Sequence, residues 1–223
     1  MNKRLFVFGC SYTNYNGSTW PDWLAPNFDQ YRNFGHGGAS NMFMLDKFMQ
    51  ADEEFKFGSQ QDHVAIMLTG FDRFCWLAQD GYEWHTPGDL THWSTSPDAR
   101  KNYPWVRSFY DHMWSAKMAV AHTWLAARSM KQLLVDRSCP HTMLMALDNS
   151  HYITDSKLLG LGPQELKRAQ EIYDLLDHKE PFDLFRARRG FRTNDHPTPE
   201  QHQAFAQEVF PDLYCSNGSA VRN

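Results

Sequence analysis

The chain has 223 residues, of which 42% are apolar and 22% charged, a balance ordinary for a globular domain with one sizeable core. Its 22 Lys+Arg and 26 Asp+Glu leave a net charge of −4, so no surplus of positive charge draws it to nucleic acid or to an anionic membrane. Apolar runs such as "VAIML" are strand-sized, too short for a membrane span, and "MNKRLFVFG" reads as a first strand and not as a signal peptide, which sets the expectation of a cytoplasmic protein.

In chain order, the first expected element is the strand "RLFVFG" (4–9). Gly9 permits a sharp bend after it, and Ser11 falls just past the strand's carboxyl end, although the same residues also make an ordinary loop. The second strand, "YRNFG" (31–35), opens into "NFGHGGASN" (33–41), three glycines ahead of a helix. Such a loop leaves backbone N–H groups to face an anion or an oxyanion. It lacks the Lys of a phosphate loop and the third Gly of a dinucleotide fingerprint. The helix "SNMFMLDKFMQADEEF" has Ser40 or Asn41 as N-cap and carries Met44, Phe48 and Ala51 on one face.

The strands "HVAIMLTG" (63–70) and "TMLMAL" (142–147) are nearly continuous apolar runs, as in a parallel sheet buried on both faces. Between them, residues 74–105 show no period and are rich in Trp, Gly and Pro; they read as an insertion over the carboxyl edge of the sheet. A single long helix is expected over 108–135, with Met113, Ala116, Val120, Leu125, Ala127 and Leu134 on a broad apolar face. Further helices are expected after Pro163, with Leu166, Ala169, Ile172 and Leu176 inward, and over 198–210, with Thr198 as N-cap and Phe205, Val209 and Phe210 inward. Just before the last one, "NDHPTPEQH" offers His196 as a general base beside Asp195. The tail 214–223 is polar and small.

Strands alternating with helices imply one open α/β domain over 1–213, whose ligands sit beyond the carboxyl ends of the strands. That marks Ser11, the 35–41 loop, Thr69 to Arg73 and Asp148 to His151. Cys10, Cys75, Cys139 and Cys215 form no CxxC pair and the histidines no HExxH, so no metal, disulfide framework or cofactor is expected.

Three of these pieces together resemble the SGNH (GDSL-type) hydrolase family. Gly9-Cys10-Ser11-Tyr12-Thr13 is similar to its first block, with Cys10 where Asp is usual. Asn33 to Ser40 looks like its second block, Gly70-Phe71-Asp72-Arg73 its third, and "TNDHP" its last. The "TGFDRF" variant is most similar to divergent members from bacteriophages. The resemblance implies a three-layer α/β/α sandwich with a mostly parallel, flavodoxin-like sheet. It implies a serine esterase acting on a small acyl ester, O-acetyl groups on a carbohydrate among them, with Ser11 as nucleophile and His196 as base. The N–H groups of Ser11 and Gly38 would form the oxyanion hole.

Two departures follow from the same comparison. Asp72 stands at the oxyanion Asn position, with Arg73 or Arg107 as its candidate partner and Asn41 or Asn149 as the substitute amide. Thr193 stands where the acid belongs, leaving Asp195 or a Ser-His dyad. Trp84, His85, Trp93 and Asn149 are the expected substrate-facing residues. A catalytically weak glycan-binding or virion structural module is the second reading, with a virion protein or a second copy as partner and the host cytoplasm or virion as location.

Overall fold

A computed structural model describes residues 3–58, 61–77, 84–88, 105–191 and 195–214. Its centre is a four-stranded sheet. The strands β1 (Arg4–Phe8), β2 (Gln30–Asn33) and β3 (Asp62–Leu68) are joined by the last strand, β6 (His141–Met145), in the order β2-β1-β3-β6, and every pair is parallel. The chain leaves β1 toward one edge to form β2, then crosses back to place β3 on the other side of β1. The order therefore reverses between β1 and β3, the kind of position where open α/β sheets bind ligands.

Alternation along the strands sorts the core into two layers. Phe6, Phe8, Val64, Ile66, Leu68, Met143 and Met145 face one way. They pack on α1 (Asn41–Phe55), α3 (Ala116–Asp136) and α5 (Pro163–Leu175) through Phe48, Val120, Met130 and Ile172. Leu5, Val7, Ala65, Met67 and Leu144 face the other way. There they meet Trp20 and Leu24 from two 3-10 turns, Phe182 and Phe185 of α6 (Phe182–Arg188), and Phe205 of α7 (Pro199–Val209). The three-layer α/β/α sandwich expected from the sequence is the fold observed. No helix among the described residues is long and apolar enough to cross a membrane.

Three details differ from expectation. The single helix over 108–135 is two, α2 (Trp105–His112) and α3, because the Ser115 hydroxyl accepts from the Met118 N–H at 3.1 Å and starts a new helix. Met113, in the break, is exposed, and so is Leu125 on α3, so neither is on the inward face. The unpatterned insertion contains an antiparallel ribbon, β4 (Phe74–Leu77) with β5 (Trp84–Gly88). The short helix α4 (His151–Thr154) and α6 were not anticipated. The rest of the insertion and the tail from 215 lie outside the described residues.

Two histidines are held neutral by packing. His63 on β3 is pushed down to about 4, first by burial and then by the charge of His141. His202 on α7 packs against Phe182 at 5.1 Å and is pushed down to about 3 by burial, with Arg186 and His196 adding to it. Unfolded, both take up protons near pH 6.5. Their contribution to stability is thus present above that pH and lost as pH falls toward 4, at up to about 1.4 kcal/mol per pH unit for each group. Urea unfolding at pH 7, 6 and 5 is expected to show this decline, and His202→Phe to flatten it.

Candidate active site

At the end of β1 the backbone turns at once. The Cys10 carbonyl accepts from the N–H groups of Thr13 at 2.9 Å and Asn14 at 3.1 Å. Position 9 must be glycine here, since a Cβ would come within 2.0 Å of Thr13 Oγ1. Cys10 points into the core, whereas Ser11 heads the turn and is 5% exposed. The Ser11 N–H meets no acceptor among the described residues.

The loop after β2 is laced to this turn by amide side chains. Asn33 Nδ2 donates to the Thr13 carbonyl at 2.8 Å, and its Oδ1 accepts from the Gly35 N–H at 2.9 Å. Asn14 Nδ2 donates to the Gly35 carbonyl at 2.9 Å, and the His36 N–H donates to the Gly9 carbonyl at 3.1 Å. Residues 36–39 then form a tight turn closed by Ala39 N–H on the His36 carbonyl at 3.1 Å. Gly38 occupies its third position at φ +74°, where a side chain would be strained. Cys75 of β4 pins this loop from behind. Its sulfur accepts from the Ser40 N–H at 3.1 Å and donates to the Gly38 carbonyl at 3.8 Å. Burial pushes the Cys75 thiol up, which keeps the proton needed for that donation. The Gly38 N–H, like that of Ser11, meets no acceptor among the described residues.

His196 comes from the loop ahead of α7, and its Nε2 lies 3.0 Å from Ser11 Oγ. The ring stacks on Tyr15 at 4.1 Å and 7°, and meets Tyr12 edge-on at 6.0 Å. Burial holds its pKa below the ordinary histidine value, with the charges of Arg73 and Arg186 acting in the same direction and Asp195 opposing them. The ring is therefore neutral at pH 7 and able to take a proton from the hydroxyl.

A buried cation positions this loop. Arg186 on α6 is 1% exposed. Its Nη2 donates to the Asp195 carbonyl at 2.9 Å, its Nε to Gln201 Oε1 at 2.9 Å, and its Nη1 to Tyr12 Oη at 3.4 Å. Tyr12 in turn donates to Asp183 Oδ1 at 3.0 Å, and Asp183 lies 3.8 Å from the guanidinium. Burial raises the Tyr12 phenol and the Asp183 carboxyl alike, so Tyr12 stays a donor.

The other expected site residues sort as follows. Asp195 reaches the site through its backbone; its side chain is exposed, and no carboxylate among the described residues hydrogen-bonds the His196 ring. Asn41 does not face the Ser11 turn. Its Nδ2 donates to Thr123 Oγ1 at 3.0 Å and to the Thr69 carbonyl at 3.4 Å, and its Oδ1 accepts from the Thr69 N–H, so both amide protons serve to hold α1 against β3 and α3. Asn149 is likewise internal, accepting from the Phe71 N–H at 3.0 Å and donating to the Leu147 carbonyl at 2.9 Å; neither amide is placed as a substitute donor. The Asp72 carboxylate folds over Gly70, where a Cβ would lie 2.7 Å from its Oδ1. The side chains of Trp84, His85 and Arg107, and the whole of Trp93 and Thr193, lie outside the described residues.

Sequence reading missed Arg186, Asp183, Tyr12, Tyr15 and Cys75. A signal existed for Arg186: Phe182, Phe185 and Arg186 share one helical face at i, i+3 and i+4, so an arginine stands on an apolar stripe.

No family model matches the chain, and no curated protein does. Among solved structures, the chain aligns with that of TesA over 95% of this chain and 98% of the other, at 16% identity and a TM-score of 0.50. A member of the lipolytic protein G-D-S-L family from Veillonella parvula aligns over 94% and 98%, at 14% identity and a TM-score of 0.47. The acetyl xylan esterase Est2A from the rumen bacterium Butyrivibrio proteoclasticus aligns over 95% of this chain and 63% of the other, at 12% identity and a TM-score of 0.42. The likeness is one of fold: the three-layer α/β/α arrangement is shared with TesA.

Removing the buried guanidinium should loosen the loop that carries His196. Arg186→Met takes the guanidinium donor from the Asp195 carbonyl, leaves Gln201 Oε1 only the Thr198 N–H at 3.4 Å, and is expected to cost about 3 kcal/mol or more in urea unfolding. Arg186→Lys is expected to recover only part of this, because an ammonium cannot span three partners with one rigid fork.

Proposed function

We propose that the chain is an ester hydrolase of the SGNH class, in which Ser11 attacks a small acyl ester and His196 takes its proton. The observation that carries this reading is the 3.0 Å contact between Ser11 Oγ and His196 Nε2. Two backbone N–H groups that meet no acceptor among the described residues, those of Ser11 and Gly38, sit on loops tied to the same turn. As Oγ bonds to the carbonyl carbon, the carbonyl π pair moves to oxygen and the serine proton passes to Nε2. The leaving alcohol then takes that proton, and water repeats the sequence on the acyl-enzyme. The histidine works as a dyad with Ser11. Its ring is oriented by stacking on Tyr15 and by the loop that Arg186 holds, and Asp195 acts only through its charge and carbonyl. O-acetyl groups on a carbohydrate remain the substrate this reading favours, on the strength of the tryptophan-rich insertion.

The catalytically weak glycan-binding or virion module is favoured by one observation. Asp72, a carboxylate that can only accept when ionised, occupies the position where the fold's hydrolases are expected to carry an amide donor.

A fluorophosphonate probe and p-nitrophenyl acetate decide between the two. Ser11-dependent labelling is expected, with Ser11→Ala and His196→Ala each lowering kcat at least about 10³-fold. Absence of labelling would favour the binding module. Asp195→Asn is expected to lower kcat less than about tenfold, against the ~10⁴-fold typical of an acid bonded to the ring.

The pH profile has a definite sign. His196 must be neutral to act, and its pKa lies below the usual value, so kcat/KM is expected to rise with pH and be half-maximal below about pH 6.5.

A further inference from the structure

The segment between the serine turn and the first 3-10 turn is a short closed loop. Asn14 anchors its start, through its N–H on the Cys10 carbonyl at 3.1 Å and its Nδ2 on the Gly35 carbonyl at 2.9 Å. Thr19 closes its end, the hydroxyl donating to the Thr13 carbonyl at 2.7 Å. Gly17, at φ +115°, brings the loop against Pro199 at the start of α7, where an added Cβ would lie 3.6 Å from the proline ring. Tyr15 stands on this loop with 47% of its surface exposed. Its ring lies flat against that of His196, with centroids 4.1 Å apart and planes 7° from parallel.

The ring it covers is the one that must carry charge. His196 Nε2 faces Ser11 Oγ at 3.0 Å, and Nδ1 meets no acceptor among the described residues. Of the charged groups that reach it, Arg73 and Arg186 oppose its protonation and Asp195 alone favours it; the neighbouring His202 is buried and neutral. An imidazolium formed here therefore has no hydrogen-bonded anion to stabilise it. The face of an aromatic ring is negative and attracts a cation lying over it, more strongly where water is partly excluded. A neutral imidazole gains much less from the same face, so the contact strengthens as the proton arrives. Tyr12, the other tyrosine at hand, is turned 74° to the imidazole at 6.0 Å, and its hydroxyl is committed to Asp183.

We infer that Tyr15 is a positioning residue that acts through His196 in place of a triad acid: its ring fixes the imidazole plane and stabilises the positive charge acquired when the Ser11 proton is taken. The assignment rests on the ester-hydrolase reading. As Ser11 Oγ bonds to the carbonyl carbon, the π pair moves to the carbonyl oxygen and the hydroxyl proton passes to Nε2. The ring is then an imidazolium against the Tyr15 face. When the tetrahedral intermediate collapses, the pair re-forms the carbonyl, the bond to the alcohol oxygen breaks, and that oxygen takes the proton from Nε2. The ring is neutral again.

The test compares Tyr15→Leu, which keeps apolar bulk and loses the ring face, with Tyr15→Phe, which keeps the face and loses the hydroxyl. On p-nitrophenyl acetate, Tyr15→Leu is expected to lower kcat about tenfold with KM within about threefold of wild type. Tyr15→Phe should recover most of that rate. By NMR, His196 is expected to titrate about one pH unit lower in Tyr15→Leu and near its wild-type midpoint in Tyr15→Phe, because the ring face favours the charged imidazole. The titration is independent of turnover, and the same spectra show that each variant is folded.

An unchanged kcat, or an unmoved His196 midpoint, in folded Tyr15→Leu would overturn the assignment and leave the hydrolase reading standing. A Tyr15→Phe protein as slow as Tyr15→Leu would also overturn it, in favour of the hydroxyl. So would a rise in KM with kcat preserved, which would make Tyr15 a substrate contact. Wild-type protein without Ser11-dependent fluorophosphonate labelling would overturn the hydrolase reading and this assignment together.

Discussion

Taking a guanidinium fully out of water costs several kcal/mol unless its donors are met by well-placed acceptors, and Arg186 is the place where this protein accepts that constraint. Its fork ties the turn after β1, 174 residues away at Tyr12, to two neighbouring stretches of its own end of the chain, the loop of His196 through the Asp195 carbonyl and the first turn of α7 through Gln201. Satisfying the cation and bringing His196 to Ser11 are therefore one geometric condition. The aromatic layer of Phe182, Phe185 and Phe205 around α6 excludes the water that would otherwise relieve the charge.

The electrostatic setting of His196 follows from that arrangement. Two positive side chains lower its basicity, and the single carboxylate opposing them, Asp195, is exposed and adjacent in sequence. A ring so placed is a weak base at rest, held in orientation by stacking and backbone contacts and not by a hydrogen bond to an acid. Under the proposed hydrolysis, the same positive surroundings would favour negative charge building on a neighbouring oxygen.

The central sheet was legible because β3 and β6 are short apolar runs and because several helices carry a start signal, as at Ser40 and at Pro199 after Thr198. Ser11, Gly38 and His196 could be singled out because each stands beside a residue that shapes backbone: a glycine turn, a glycine at positive φ, a proline before a helix. What stayed hidden depends on long-range pairing. Nothing local distinguishes Asn41, which staples α1 to β3, from an asparagine facing a ligand. Only the apolar stripe of Phe182 and Phe185 hints that Arg186 turns inward, and nothing in it reveals which backbone and side-chain acceptors the guanidinium meets, while Arg188 and Arg189 pair with Glu208 at the surface. The break at 113–115 was missed because apolar spacing continues across it, and one serine hydroxyl decides the matter.

The turn after β1 separates two kinds of position that adjoin in the chain. Gly9 is fixed by a steric limit, since no side chain fits beneath Thr13. Cys10, one residue on, is buried and faces the apolar layer with Leu5 and Val7. Such a position answers to the volume and polarity of the core, which an uncharged thiol suits, so a change there that no longer fits the apolar layer would be felt in stability before it was felt in the shape of the serine turn.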